Sequence, residues 1–181
     1  MSAVLVSAGA QALTLGDINQ LDRVRFVAAL GGIFEHSPWV AASAWAELPF
    51  ASIDELHRAM IRVVRATSRE VRIDFLRMHP ELAGKEAQAG TMTGHSTAEQ
   101  AGLNALSREQ LQTLRALNAA YAAKHGFPFV IAVLANTRAQ IFDALRARTE
   151  RDTDTEIEAA LDQIAIITRL RLGRLLAAPL A

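Results

Sequence analysis

The chain has 181 residues, 51% of them hydrophobic, with Lys+Arg and Asp+Glu equal at 19 each and no cysteine. That length and apolar content suit one globular domain with a real core and exclude a disordered chain. The zero net charge gives no electrostatic case for nucleic acid or an anionic membrane, and the missing thiols exclude disulfides, thiolate metal sites and cysteine nucleophiles.

Residues 1–13 lack a basic stretch before their apolar part, so no secretory signal is expected there. No run of about 18 apolar residues occurs, so no spanning helix is expected. The last residues, Ala178-Pro179-Leu180-Ala181, are no peroxisomal address. The lack of cysteine is compatible with a reducing, cytoplasmic setting.

The first helix is predicted from Asp17 to Leu30, with Ile18, Leu21, Phe26 and Leu30 mostly on one side and Gly31-Gly32 as the stop. Ser37 as N-cap and Pro38 at the first helical position start a second helix, which ends before Pro49. Ser52-Ile53-Asp54-Glu55 reads as a capping box opening a third helix through Leu56, Met60, Val63 and Val64, broken at Thr67-Ser68. A fourth carries Val71, Phe75 and Leu76 and ends near Met78, because Pro80 disfavours helical geometry at His79. His79 thus falls at a helix C-terminus, where the dipole favours the imidazolium and tends to raise its pKa.

Gly84 to Gly94 is polar, rich in Gly and Thr, and reads as a loop. Ser96-Thr97-Ala98-Glu99 has the form of a second capping box and opens a short helix. Ser107-Arg108-Glu109-Gln110 is a third, starting a helix through Leu111, Leu114, Leu117 and Tyr121 that stops at Gly126. The run from Phe129 to Leu134 is strand-like but has no sequence partner, so it reads as buried extended chain or a helix start. Helices follow from Thr137 to Arg148 and after Asp152, the last carrying Ile157, Leu161, Ile164, Ile167 and Leu172. The class is all-α, a bundle of about seven to nine helices in one domain.

Among the five histidines, His57 lies on a charged helix face and His125 ends a helix, and both read as structural. His36 precedes the Ser-Pro start and could be either. His79, followed by Pro80 and a loop of small residues, is the candidate acid–base group. Glu99 is either the partner of Ser96 in a cap or a carboxylate facing His79; spacing leaves both open. His79, His95 and Glu99 could be drawn as a metal site, but no HExxH or paired-ligand spacing is present, and no phosphate loop follows Gly31-Gly32. Arg171 reads as a surface cation or as a carboxylate clamp; Arg169 and Arg174 lie near it.

Several motifs in order resemble the OHCU decarboxylase family, whose members act on 2-oxo-4-hydroxy-4-carboxy-5-ureidoimidazoline. They are Asn19 with Phe26; Phe34-Glu35-His36-Ser37-Pro38-Trp39; Pro49-Phe50; His79-Pro80-Glu81-Leu82-Ala83-Gly84; Ser96-Thr97-Ala98-Glu99-Gln100-Ala101-Gly102; Leu117-Asn118-Ala119-Ala120-Tyr121; and Gly126-Phe127-Pro128-Phe129-Val130. The resemblance runs from about Leu15 to Leu172. It implies an all-helical homodimer, without cofactor, that forms (S)-allantoin late in urate breakdown. It implies that His79 and Glu99 are catalytic. It also implies that Pro80, Ser96, Thr97, Ala98 and Gln100, the backbone of Phe129, Val130, Ile131, Ala132 and Val133, and Arg171 line the substrate, with Arg169 the competitor of Arg171. Two departures are present: His95 stands where the family often has an acidic residue, and Gln100-Ala101-Gly102-Leu103 is two residues shorter than the usual segment. The competing readings are a helical binding module without chemistry and a decarboxylase of a related ureido or β-imino acid.

Overall fold

The structure is a computed structural model and describes residues 13–84, 87, 89–103 and 105–176; the expectations for the chain ends at 1–12 and 177–181 lie outside these. Among the described residues there are nine α-helices and no strand. They are α1 (Leu15–Ile18), α2 (Arg23–Leu30), α3 (Pro38–Ala44), α4 (Ile53–Arg65), α5 (Arg69–Arg77), α6 (Gly94–Gln100), α7 (Arg108–His125), α8 (Arg138–Thr149) and α9 (Thr153–Leu175). No described helix is long and apolar enough to cross a membrane.

The predicted first helix is two helices. The Asn19 side chain bonds both the N–H and the C=O of Phe50, at 2.9 Å each, and α1 ends at this residue as its C-cap. Asp22 then restarts the chain by accepting from the Arg25 N–H. Pro38 begins α3 as expected, but Ser37 is buried and makes no side-chain cap. Ser52 caps α4, while Glu55 reaches the N–H of Ala51 rather than that of Ser52, so only half of the capping box forms. Both halves form at Ser107 and Gln110. Gly126 ends α7 with φ 81°, a left-handed turn that glycine adopts without steric cost. Residues 87 and 89, inside the expected loop, have helical backbone.

The long last helix organises the site. α9 packs on α4, α5 and α7, α3 packs on α2 and α4, and α6 packs on the 3-10 turn Val133–Ala135. Ile157, Leu161, Ile164 and Leu172 recur at helical spacing and are buried, with Thr168 and Arg171 on the same face. Phe129, Val130, Ile131 and Ala132 form buried, non-helical chain that leads into that turn at Val133, which is the first of the two sequence alternatives.

A buried polar group holds this segment. The Tyr121 hydroxyl donates to Glu156 at 2.6 Å, and Arg148 donates to the same carboxylate at 2.7 Å. Arg148 also donates to the Val130 carbonyl at 2.9 Å and lies over the Phe129 ring, 4.6 Å from its centre. Burial and the Glu156 carboxylate raise the Tyr121 phenol pKa far above its ordinary value, so it stays a neutral donor. Tyr121→Phe removes one charge-assisted bond while Arg148 still satisfies Glu156. A loss of about 1–3 kcal/mol in denaturant unfolding is expected.

Candidate active site

His79 follows the Met78 cap of α5, its N–H bonded to the Leu76 carbonyl at 3.2 Å. Its ring packs edge-on to Phe75 with centres 5.2 Å apart, and Phe75 in turn packs on Trp39 and Phe34. Nδ1 lies 3.2 Å from the Phe75 carbonyl, an acceptor only, so Nδ1 carries the proton and Nε2 keeps its lone pair.

The helix-dipole expectation for this histidine is corrected. Burial, opposed by the Glu35 charge and the Phe75 carbonyl, pushes the imidazole down to about 4. The ring is half-buried by accessible area, with solvent reaching it from the pocket, but its packing surroundings dominate. Near pH 7 it is therefore a neutral base.

α6 starts three residues earlier than expected. Thr93 is its N-cap, accepting from the Ser96 N–H, and Gly94 is its first residue. Glu99 consequently has no capping role. It accepts from Arg171 Nε at 2.8 Å and from Nη2 at 2.7 Å, a two-pronged ion pair. Ser96, Glu99 and Gln100 share one face by the i, i+3, i+4 rule and line the pocket. Thr97 and Ala98 fall on the opposite face, are exposed, and do not line it.

Arg171 is buried, not a surface cation. Besides Glu99 it donates to Glu35 at 2.9 Å, the Ile33 carbonyl at 3.2 Å and Ser96 at 3.3 Å. Burial works against its charge, but the two carboxylates outweigh that and raise its pKa further. Arg169 is an exposed partner of Asp54 and leaves the inside position to Arg171. Burial tends to raise the Glu35 carboxyl, but Thr93 and Arg171 overcome it and hold it below the ordinary range.

His79, Glu99 and Arg171 border one hollow of about 560 Å³, part of it open to solvent. Its walls include His79, Pro80, Leu82, Ser96, Glu99, Gln100, residues 129–134, Ile167, Leu170 and Arg171. The Gln100 side-chain oxygen accepts from the Ala83 N–H, and Asn118 donates to the Leu82 carbonyl, so the chain after His79 is pinned from two sides. On the opposite wall Val130 gives its carbonyl to Arg148, and Ala132 gives its N–H to Gln163 and its carbonyl to Asn136. Phe129 and Ile131 alternate with them and form no backbone hydrogen bond among the described residues. That leaves donors and acceptors for a planar polar ligand.

His57 and His125 are buried against Thr168 and Thr153, as structural histidines. His36 and His95 are exposed, and no metal-binding group of three or more His, Cys, Asp or Glu occurs among the described residues. The segment after Gln100 turns at once into a 3-10 turn, Ala101–Leu103, with Leu103 buried. The residues that sequence reasoning left without a role are Glu35, Thr93, Arg148 and Asn118. Two of them, Glu35 and Asn118, lay inside quoted motifs.

An imidazole, a carboxylate and a guanidinium gathered around one partly open hollow in an all-helical chain mark the class as a helical protein with an enzyme-like pocket. Residues 19–173 match the family model described as OHCU decarboxylase, and the chain belongs to that family. It is 45% identical over 163 residues to 2-oxo-4-hydroxy-4-carboxy-5-ureidoimidazoline decarboxylase of Haloferax volcanii, covering 89% of this chain and 95% of the relative. It is 40% identical over 162 residues to the uric acid degradation bifunctional protein PucL of Bacillus subtilis, covering 88% of this chain but only 32% of that protein. A solved (S)-allantoin synthase superposes with a TM-score of 0.69 at 28% identity, covering 88% of this chain and 53% of that longer one.

The lowered His79 value fixes a pH dependence. For a reaction in which His79 serves as the base, the neutral imidazole is the working form, and kcat/KM should stay level as pH falls from 7.5 to 6 and drop only on the acid side of that range. The unfolded chain binds this proton more readily than the folded one. His79 therefore makes stability fall as pH drops from about 6.5 toward about 4. Kinetics on fresh substrate and urea melts across that range check both.

Proposed function

We propose that this chain decarboxylates 2-oxo-4-hydroxy-4-carboxy-5-ureidoimidazoline to (S)-allantoin in urate breakdown. The observation that carries the reading is the meeting of His79 and Glu99, from the ends of two helices, over one hollow in a chain of this family. In this reading Nε2 of His79 takes the hydroxyl proton. The bond to CO2 breaks, its electron pair moves into the ring, and the neighbouring C=N nitrogen gains charge. The hydroxyl-bearing carbon becomes a carbonyl, and two protons are delivered, one to the ring nitrogen and one from a single face to the ureido-bearing carbon. One is the hydroxyl proton held by His79 and the other comes from solvent, so one net proton is consumed for each CO2 released. Because the substrate holds its own electron sink, its ring does what a cofactor would otherwise do.

Arg171 already faces two carboxylates. The scissile carboxylate is therefore assigned to the apolar wall of Leu82, Ile131, Ile167 and Leu170, where poor solvation favours its loss as neutral CO2. Glu99, kept in place by Arg171, accepts from a substrate N–H, and Gln100, Ser96 and the free backbone groups of Phe129 and Ile131 take the remaining ureido and ring groups. Pro80 and Val133 complete the walls. The same reading includes a homodimer, checked by sedimentation, and a cytoplasmic setting, checked by fractionation.

The test is a chiral assay on freshly made substrate. Spontaneous decay protonates both faces equally and gives racemic product. An excess of (S)-allantoin that scales with protein concentration supports the reading. Racemic product at the uncatalysed rate would overturn it.

A further inference from the structure

We infer that Glu35 is a positioning residue: anchored by Thr93, it braces the guanidinium of Arg171 so that the Nε–Nη2 edge is presented to Glu99 and Ser96 at the pocket. The inference rests on the pocket being the decarboxylation site. Glu35 is not part of the pocket wall and is 2% exposed, so it acts from behind Arg171 rather than on substrate.

The turn between α2 and α3 is shaped to deliver it. A side chain at Gly31 would lie 2.6 Å from the Val27 carbonyl oxygen and 3.2 Å from Cβ of Pro38, so only glycine lets the turn close. His36 has φ 48°, a left-handed conformation that costs a residue with a Cβ about 1–2 kcal/mol. Strain of that size persists only where surrounding contacts outweigh it. Phe34 and Ser37 turn inward, His36 outward, and Glu35 inward with the Ile33 carbonyl beside it. Both oxygens meet the same atom, Nη1 of Arg171, at 2.9 Å from Glu35 and 3.2 Å from Ile33.

The other Glu35 oxygen accepts from the Thr93 hydroxyl at 2.6 Å, and Thr93 is the cap of the helix that carries Glu99. One buried carboxylate thus ties together the turn, α9 and the start of α6. A guanidinium is a rigid fork of five N–H donors, so holding Nη1 fixes the direction of the opposite edge. Without Glu35 that edge loses its reference, and Glu99 becomes the sole carboxylate on a buried cation.

The experiment measures kcat and KM for Glu35→Gln, Glu35→Asp, Arg171→Gln and the double variant E35Q/R171Q, per folded protein. Glu35→Gln should lower kcat/KM tenfold or more, with Glu35→Asp in between. In the Arg171→Gln background the same change should cost less than twofold, because there is no guanidinium left to brace. Additive losses, or a folded Glu35→Gln within twofold of the parent, overturn the inference. If Glu35→Gln does not fold, Thr93→Val against Thr93→Ser replaces it; equal activity of the two would also overturn it. Solvent exchange of the Arg171 Nε–H, followed by NMR, reads the brace without turnover, and it should quicken in Glu35→Gln. An unaltered rate overturns the inference, whereas failure of the parent to form (S)-allantoin strikes the decarboxylase reading alone.

Discussion

Replacing His79 with glutamine should lower kcat by about 10²–10⁴-fold, the usual worth of a positioned general base. The amide can still donate toward the Phe75 carbonyl, which now takes the Nδ1 proton, but it has no basic nitrogen for the substrate hydroxyl. KM should change less than kcat, because the groups proposed to hold the ureido and ring atoms lie on α6 and the 129–133 wall. The fold should lose little, since His79 is half-buried and its main contact is one edge-on packing with Phe75. His79→Ala with added imidazole is the companion test. Partial rescue by a diffusible base is expected if proton transfer is what was lost. Near-parental turnover in either variant would remove His79 from the chemistry.

The helices were legible because their signals are local. Caps at Ser52, Ser68, Ser107 and Thr137 are each satisfied by an N–H three residues on, and apolar spacing marks α4 and α9 without ambiguity. The misread places are those where a distant partner decides. The first predicted helix ends early at Asn19, whose side-chain amide is held by both backbone groups of Phe50, 31 residues away. For Glu99 spacing left a cap partner and a site carboxylate both open, and the choice fell to distant partners: Thr93 takes the cap and Arg171, 72 residues on, takes the carboxylate. The His79 dipole argument failed for a related reason. The last turn of a short helix favours the cation by a fraction of a kcal/mol, while burial against Phe75 opposes it more strongly. Glu35 carried no signal of its own in the sequence, because its meaning comes only from α9.

Arg171→Gln should be the most destabilising single change in the pocket. Arg171 and Glu35 are 4% and 2% exposed and Glu99 is 12% exposed, so the variant leaves two shielded carboxylates without their cation. Removing one partner of a buried ion pair costs about 3–5 kcal/mol, which corresponds to a fall in Tm of about 10 °C or more for a chain of this size. The loss should depend on pH in a defined direction. In the parent the Glu35 carboxyl lies below its ordinary value, so its contribution is full above that value and fades as pH falls through the folded one. In Arg171→Gln the lowering by Arg171 is gone, and burial, the largest influence and one that raises the carboxyl, opposes only the hydrogen bonds from Thr93 and Ser96. The folded variant then tolerates the protonated acid better than the anion. The gap in stability between parent and variant should therefore narrow on going from pH 7 to pH 5. Adding Glu35→Gln should recover part of it at pH 7, because an unpaired buried charge has been removed. Urea melts of the three proteins at both pH values measure these differences. A deficit below about 1 kcal/mol, equal at pH 5 and 7, would mean that the carboxylates are solvated well enough to need no cation. The buried guanidinium would then not be what holds the site in shape.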